Sequence, residues 1–398
     1  MTTKDWLIVA VIASAGAFLG TVFTTVAPVL PLIAAHYGGG HDGAFVAEWL
    51  LTMPSIGIMV GGPASGWFVE RFGARTVLLA CFGVFGLAGL SGMFIENSSL
   101  LFASRFIVGV TAAGQATAAT AVAGDRFVGQ RRSFVLGIQV ALAAAVGIGT
   151  ALAAGALAAW AGWRAPFGLY GLAIVIALQA ALVVERHPLE QVKALAGAGS
   201  LIAMLPIFLV ITVTMMVSFV STNQVPLLLS DQGNGSPAVL SVVLGGSTLA
   251  MMFGALLYSR LRAWLGAVRT GAVGGALQGI AVLLLAVTQG LYPIALSSFV
   301  LGLGGGILYP GFSHIILDRA PEAARGRAIG LLFTAQFAGP FLSTALVVPA
   351  IAAFGRSDSL LPIGLALLIG WIAHASRRSV SGRQPVSHVA SLPAKDVS

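Results

Sequence analysis

The sequence predicts an all-α membrane protein, with twelve transmembrane helices arranged as two pseudo-symmetric six-helix bundles. Three observations carry this prediction. Apolar residues fill 58% of the 398 positions and charged residues only 9%, with a mean hydropathy of +0.96; a soluble chain carries about 25% charged residues to cover its water-facing surface. The apolar residues form runs long enough to cross about 30 Å of hydrocarbon as helices, which takes about 20 residues and satisfies the backbone hydrogen bonds internally. The chain also matches itself under an ungapped shift of 193 residues.

Cutting at charges, prolines and Gly-polar clusters places the spans in order. Span one runs 6–35, between Lys4-Asp5 and the Gly38–Gly40 cluster, and span two 45–69, between Asp42 and Glu70-Arg71. Spans three and four, 76–95 and 99–124, lie between Arg75 and Asp125 and are split at Glu96-Asn97. Span five, 133–159, and span six, 164–185, are separated by Gly162-Trp163-Arg164. Spans seven and eight follow at 201–229 and 237–260, interrupted around Asp231. Arg260 and Arg262 set off span nine at 267–288, and span ten at 291–317 ends before Asp318-Arg319. Arg325 and Arg327 precede span eleven at 327–352, and Arg356 and Asp358 precede span twelve at 359–376. The first run is too long for a signal-peptide core, and no mature soluble domain follows it.

The charges orient this array. With both termini cytoplasmic, 18 of the 21 Lys and Arg fall on the inner side, Arg164 and Arg356 on the outer side, and Arg105 inside a helix. That asymmetry is the positive-inside pattern of a multi-pass protein in a bacterial-type inner membrane. Because the basic residues recur in short clusters between spans and form no single groove, the net charge of +8 does not point to nucleic acid. The single cysteine, Cys81, sits in an apolar run, which leaves neither a disulfide frame nor a thiol metal site. The longest polar interruption, 186–200, divides an N-terminal bundle (1–185) from a C-terminal bundle (201–376), with a polar cytoplasmic tail at 377–398. Under the 193-residue shift, Gly109, Asp125, Arg126, Arg132 and Gly137 fall on Gly302, Asp318, Arg319, Arg325 and Gly330. Matched halves of this kind suit a carrier that rocks one bundle against the other around a site at the bilayer midplane.

Specific motifs sharpen the reading. The loop after span two reads Gly66-Trp67-Phe68-Val69-Glu70-Arg71-Phe72-Gly73-Ala74-Arg75. It resembles the G-x-x-x-D-R-x-G-R-R signature of the major facilitator superfamily, with Glu70 for the Asp and Ala74 for an Arg. Arg105-Phe106-Ile107-Val108-Gly109 resembles the R-x-x-x-G element of span four in that family. Gly162–Phe167 resembles its outer turn before span six, and Ala320-Pro321 with Arg325–Gly330 its loop before span eleven. The resemblance covers residues 5–376 and leans toward the twelve-helix drug–proton antiporters. The span-five Gly-Pro signature of that branch is replaced by Gly147–Gly155, glycine-rich without proline.

The resemblance implies a gating motif of Glu70, Arg71, Gly73 and Arg75, with Asp125 as a partner for Arg75 or Arg71. This network would latch the inner halves in the outward-open state and break during turnover; the bland alternative is a solvated topogenic loop. Arg105 is costly inside a membrane, about 2.5–3.5 kcal/mol on insertion scales. It either serves coupling or substrate binding, or bonds to carbonyls near the outer surface. None of the 13 acids falls at the centre of a span, which disfavours metal transport and implies no metal or cofactor. Glu48, one turn into span two, is the best carboxylate for coupling, with Asp42, His36 and His41 nearby at the outer mouth; an outer cluster of this kind is more often merely solvated. His314 either titrates near neutral pH or packs.

The family arrangement places spans one, four, seven and ten around a central cavity. The lining candidates are then Thr21, Thr24, Thr25, Gln115, Met216, Phe219, Asn223, Gln224, Tyr309 and Ser313. Gln336 lies beside an aromatic row of Phe333, Phe337 and Phe341 on span eleven. Soft, weakly polar walls suit an amphipathic ligand; plain helix packing is the competing reading of each stripe. Phosphate-binding, metalloprotease and nucleophile-elbow motifs are missing, so no enzyme is expected. The expectation is a secondary active transporter, functional as a monomer, exporting small amphipathic organic compounds in exchange for protons. Uptake or exchange of a small organic anion, with Arg105 as counter-charge, is the second reading, and a non-transporting sensor or anchor the third.

Overall fold

The computed structural model describes the backbone of residues 2–127, 130–185, 204–319 and 325–381. The expected central loop at 186–200 and most of the expected tail lie outside these residues, although span twelve continues as helix to Ser381. Among the described residues the regular structure is helical. Eleven helices are long and apolar enough to cross a membrane.

One of them accounts for two crossings. The helix Pro237–Val287 has 51 residues, about 75 Å of rise, more than twice the hydrocarbon thickness. Gly266 breaks it with φ 76° and ψ 166°, a conformation reserved for glycine. Spans eight and nine are its two sides, which restores the count of twelve. Span one is Thr3–Thr24, prolonged through a tight turn at Ala27–Val29 into Leu30–His36. Spans two to five are Gly40–Phe72, Ala74–Leu90, Ser98–Arg126 and Gln130–Ala161. Span six begins tightly wound at Ala165–Gly171 and continues as Leu172–Val183. Spans seven and ten are Leu205–Asp231 and Leu291–Arg319. Span eleven, Arg325–Leu342, passes Pro340 and a wide turn at Ser343–Val347 before Val348–Phe354; span twelve is Arg356–Ser381.

Glycines let these helices approach closely, and they do so in register with the internal repeat. A methyl group on Gly109 of span four would strike the carbonyl oxygen of Pro54 in span two. The same addition at Gly302 of span ten would strike the Ser247 carbonyl in span eight. Gly61 meets Val110 as Gly254 meets Leu303. All four partnerships obey the 193-residue offset, so the repeat lies in the packing as well as the letters.

The halves meet through spans two with eleven and five with eight. Gly155 of span five receives Ser241 and Pro237 of span eight. Span two meets span eleven where the Thr52 and Thr344 hydroxyls lie 2.5 Å apart. These contacts lie at the end of the bundle away from the two termini. The lipid-facing surface is aromatic at both ends: Trp6, Trp67 and Trp264 stand exposed near the termini, Trp160 and Tyr292 at the far end, as interfacial belts require.

Candidate functional site

The site is a ladder of contacts along the boundary between the halves, some crossing it and some within the C-terminal half, rising from mid-span toward the far end. At the lowest rung, Tyr309 of span ten donates its hydroxyl to Gln336 Oε1 of span eleven at 3.3 Å. Next comes an apolar rung. Phe23 of span one sits edge-on to Phe219 of span seven, ring centroids 5.1 Å apart, and stacks on Phe337 of span eleven at 6.3 Å. Met216, one helical turn below Phe219 (i−3), is half-buried.

Above the aromatics lies a polar rung. Asn223 Nδ2 donates to Thr344 Oγ1 at 2.8 Å, and the same hydroxyl meets Thr52 across the halves. Glu48 is one turn away on span two and 3% exposed; it accepts a 2.9 Å hydrogen bond from Gln224 Nε2 of span seven. Trp49, next to Glu48 on span two, packs on Phe341 of span eleven at 6.1 Å. Sequence reasoning found Glu48, Phe219, Asn223, Gln224, Gln336, Phe337 and Phe341 but missed Phe23, Trp49, Thr52 and Thr344. A signal for Thr52 was present, since it follows Glu48 by four residues and shares its helix face.

Other candidates turn inward to their own half. Thr21, Thr24 and Thr25 return their hydroxyls to the carbonyls of Phe18, Gly20 and Thr21 in span one. Gln115 is fully buried, and neither atom of its amide has a partner among the described residues. Ser313 and Glu70 stand on described helices, but their side chains lie outside the described set.

Arg105 is not where a counter-charge for substrate would be. It is completely buried, with Nη2 donating to the carbonyls of Ala88 and Gly89 in span three at 3.0 Å each. Its guanidinium faces the rings of Phe167 and Tyr170 in span six at 4.8 and 4.9 Å. The side chain therefore clamps spans three, four and six within the N-terminal half. His314 is likewise away from the ladder: it is exposed and stacks on Tyr258 of span eight at 5.7 Å.

The gating motif also departs from expectation. Gly73, at φ 81°, forms the turn between spans two and three. Arg75 donates through Nη2 to the Ala181 carbonyl of span six at 2.7 Å. Arg71 and Asp125 are exposed, and among the described residues no ion pair joins Asp125 to either arginine. The neighbouring Arg126 pairs with Asp5 of span one at 3.0 Å, and Lys4 with Glu185. Among the described residues, the ion pairs at this end tie the N-terminal half to itself.

Two six-helix halves, apolar outside and meeting along a ladder of aromatic and polar groups with one carboxyl group, Glu48, define a membrane carrier. The Major Facilitator Superfamily model matches residues 12–344 and again 207–385. The chain belongs to that family and is a transporter, not an enzyme. It is 29% identical over 357 residues to the class G tetracycline resistance protein of Vibrio anguillarum, covering 80% of this chain and 85% of that one. To the 3-(3-hydroxy-phenyl)propionate transporter of Escherichia coli K12 it is 26% identical over 236 residues, 55% of this chain; the match spans 59% of that relative's length. The crystal structure of a D-xylose-proton symporter superposes with a TM-score of 0.75 at 15% identity, covering 93% of this chain and 97% of that one.

Proposed function

We propose that the chain works by alternating access as a proton-coupled exporter of small amphipathic organic compounds, in an inner membrane with both termini cytoplasmic. The carrying observation is the wall between the halves. Phe23, Met216, Phe219 and Phe337 offer aromatic and soft apolar contact, and Gln336, Tyr309 and Asn223 offer uncharged hydrogen bonding. Such a surface binds a flat or greasy molecule with a few polar groups, and apart from the Glu48 carboxyl it offers no charged group to hold a strongly ionic one. With the termini inside, the ladder seals the outer end, which makes this the inward-facing state. The unlatched Asp125 and Arg75 fit that state. Likeness over most of the chain to a relative named for tetracycline resistance supports the outward direction.

The second reading, uptake of an organic acid, draws on the likeness to the propionate-type transporter. It needs a cationic group at the ladder, and Arg105 is committed to span three and the span-six rings.

The test uses purified protein in sealed liposomes containing a pH-sensitive dye. A proton gradient is imposed, and amphipathic cations, neutral compounds and organic acids are added in turn, with protein-free vesicles as control. Gradient dissipation driven by amphipathic cations or neutral compounds is expected. Dissipation by organic acids alone overturns the export reading, and ligand flux without proton movement overturns the coupling.

A further inference from the structure

Glu48 and Arg105 are the two charged side chains that the described core buries. Arg105 is held by two carbonyls and two rings, all within one half. Glu48 is held across the boundary between halves by a single amide, Gln224 Nε2. A carboxylate hidden from water with one neutral donor is under-compensated, whereas a carboxylic acid in the same place is an ordinary polar group. The charge on Glu48 therefore opposes closure of this end, and a proton removes the opposition.

From this we infer that Glu48 is a proton-operated latch. Protonation of its carboxyl lets span two close on span seven through Gln224, and loss of the proton drives that end open. The inference rests on the alternating-access reading above and adds the residue that moves the proton. In the outward-open state Glu48 faces external water and takes up a proton. The neutral acid is then buried as the Trp49–Phe341 contact and the Thr52–Thr344–Asn223 bonds form beside it. With the inner end open, the proton leaves toward the cytoplasm as substrate binds; the stranded carboxylate biases the outer end toward reopening, and the carrier returns outward with its cargo. One proton enters per cycle, and the carboxyl returns to its starting form.

Other titratable groups around this end are placed differently. On its own helix His41 and Asp42 are exposed and 3.8 Å apart. Span one brings His36, exposed and packed on Tyr37 and Trp163, and span seven ends in the exposed Asp231. Span four brings Arg105, directed at span three. Span eleven presents Thr344 and Phe341 here, neither of which titrates between pH 5 and 9.

The test reads the outer end directly and needs no substrate. Spin labels go at His41→Cys and Ala238→Cys, exposed positions at the outer starts of spans two and eight, with Cys81→Ser removing the native thiol. The first substitution also removes His41 as a rival titrating group. In liposomes, the label distance should be short at pH 5.5 and shift toward a longer population at pH 8.5. The open-to-closed ratio should change by at most about tenfold per pH unit, the limit for one proton. Glu48→Gln, a near-isostere of the protonated acid, should stay short at both pH values. Gln224→Leu, which removes the compensating donor, should open more completely at pH 8.5. A pH response that survives Glu48→Gln, or one distance at every pH, overturns the latch. Should the distances respond while no ligand moves protons in the dye assay, the substrate reading fails and the latch stands.

Discussion

The guanidinium of Arg105 lies 4.9 Å from the ring centroid of Tyr170, whose hydroxyl donates to the Val22 carbonyl of span one at 3.2 Å. A residue of span four is thereby coupled to span one through span six. A planar, delocalised cation can stack on rings while its edge bonds two carbonyls; an ammonium can do only part of this. Arg105→Lys should therefore destabilise the protein by about 1–3 kcal/mol through lost stacking and a lost charged hydrogen bond. A lower midpoint in detergent thermal unfolding, with ligand affinity in the surviving protein unchanged, is the expected result. Normal stability with selective loss of carboxylate ligands would return Arg105 to the role of counter-charge.

The paired close approaches predict a paired sensitivity. Gly109→Ala and Gly302→Ala each push a methyl into a backbone carbonyl that a packed helix cannot readily withdraw. Each should cost about 1–3 kcal/mol, as overpacking does. Gly149→Ala on span five meets nothing within 4 Å and is the control; there alanine should be neutral or stabilising, since it is the better helix former. Fluorescence-detected size exclusion after graded heating separates the three. Equal behaviour of Gly109→Ala and Gly149→Ala would mean that spans two and four are not in this contact.

Gly266 predicts a second kind of glycine effect. Its φ of 76° and ψ of 166° make the corner between spans eight and nine, with nothing within 4 Å of a Cβ there. Gly266→Ala is thus a backbone strain without a clash, expected to cost about 1–3 kcal/mol. The strain is relieved when the corner unfolds locally. Proteolysis at a site inserted beside residue 266 should become faster, while the Gly109–Pro54 contact in the other half keeps its own stability.

The spans were legible because hydrocarbon thickness imposes a length, and the repeat was legible because Gly109 and Gly302 sit at the same tight crossing in each half. What lipid does not dictate was harder to read. Arg105 is visible as a charge in a membrane helix, but which neighbour its helix face meets depends on packing, and it meets span three. The expected Asp125–Arg75 pairing failed for a different reason. Both residues lie in the N-terminal half, where partners are decided by which groups the packed helix ends bring together, and Arg75 meets the Ala181 carbonyl of span six. Glu48 stood out among the acids, yet its partner Gln224 lies 176 residues away, a distance no local pattern spans. Eleven candidate helices rather than twelve reflect Gly266, one residue that turns the corner with helix running up to it on both sides.

Thr52 and Thr344 offer an uneven pair of deletions at the outer seal. Thr52→Val, close to isosteric, removes one hydroxyl partner from the contact between halves. Thr344→Val removes that contact and also the acceptor of Asn223 Nδ2, leaving a buried amide whose Oδ1 already lacks a partner among the described residues. A lost neutral hydrogen bond costs about 0.5–1.5 kcal/mol, and a stranded buried donor about 1–3 kcal/mol. Both losses fall on the closed state, because opening the end exposes the groups to water. The spin-label pair at 41 and 238 should therefore show a modest open population for Thr52→Val and a larger one for Thr344→Val. In the double variant the Thr52 loss has no partner left to act on, so it should match Thr344→Val alone. Full additivity would show that the two hydroxyls do not interact, and the polar rung would then be two separate contacts instead of one chain from span two to span seven.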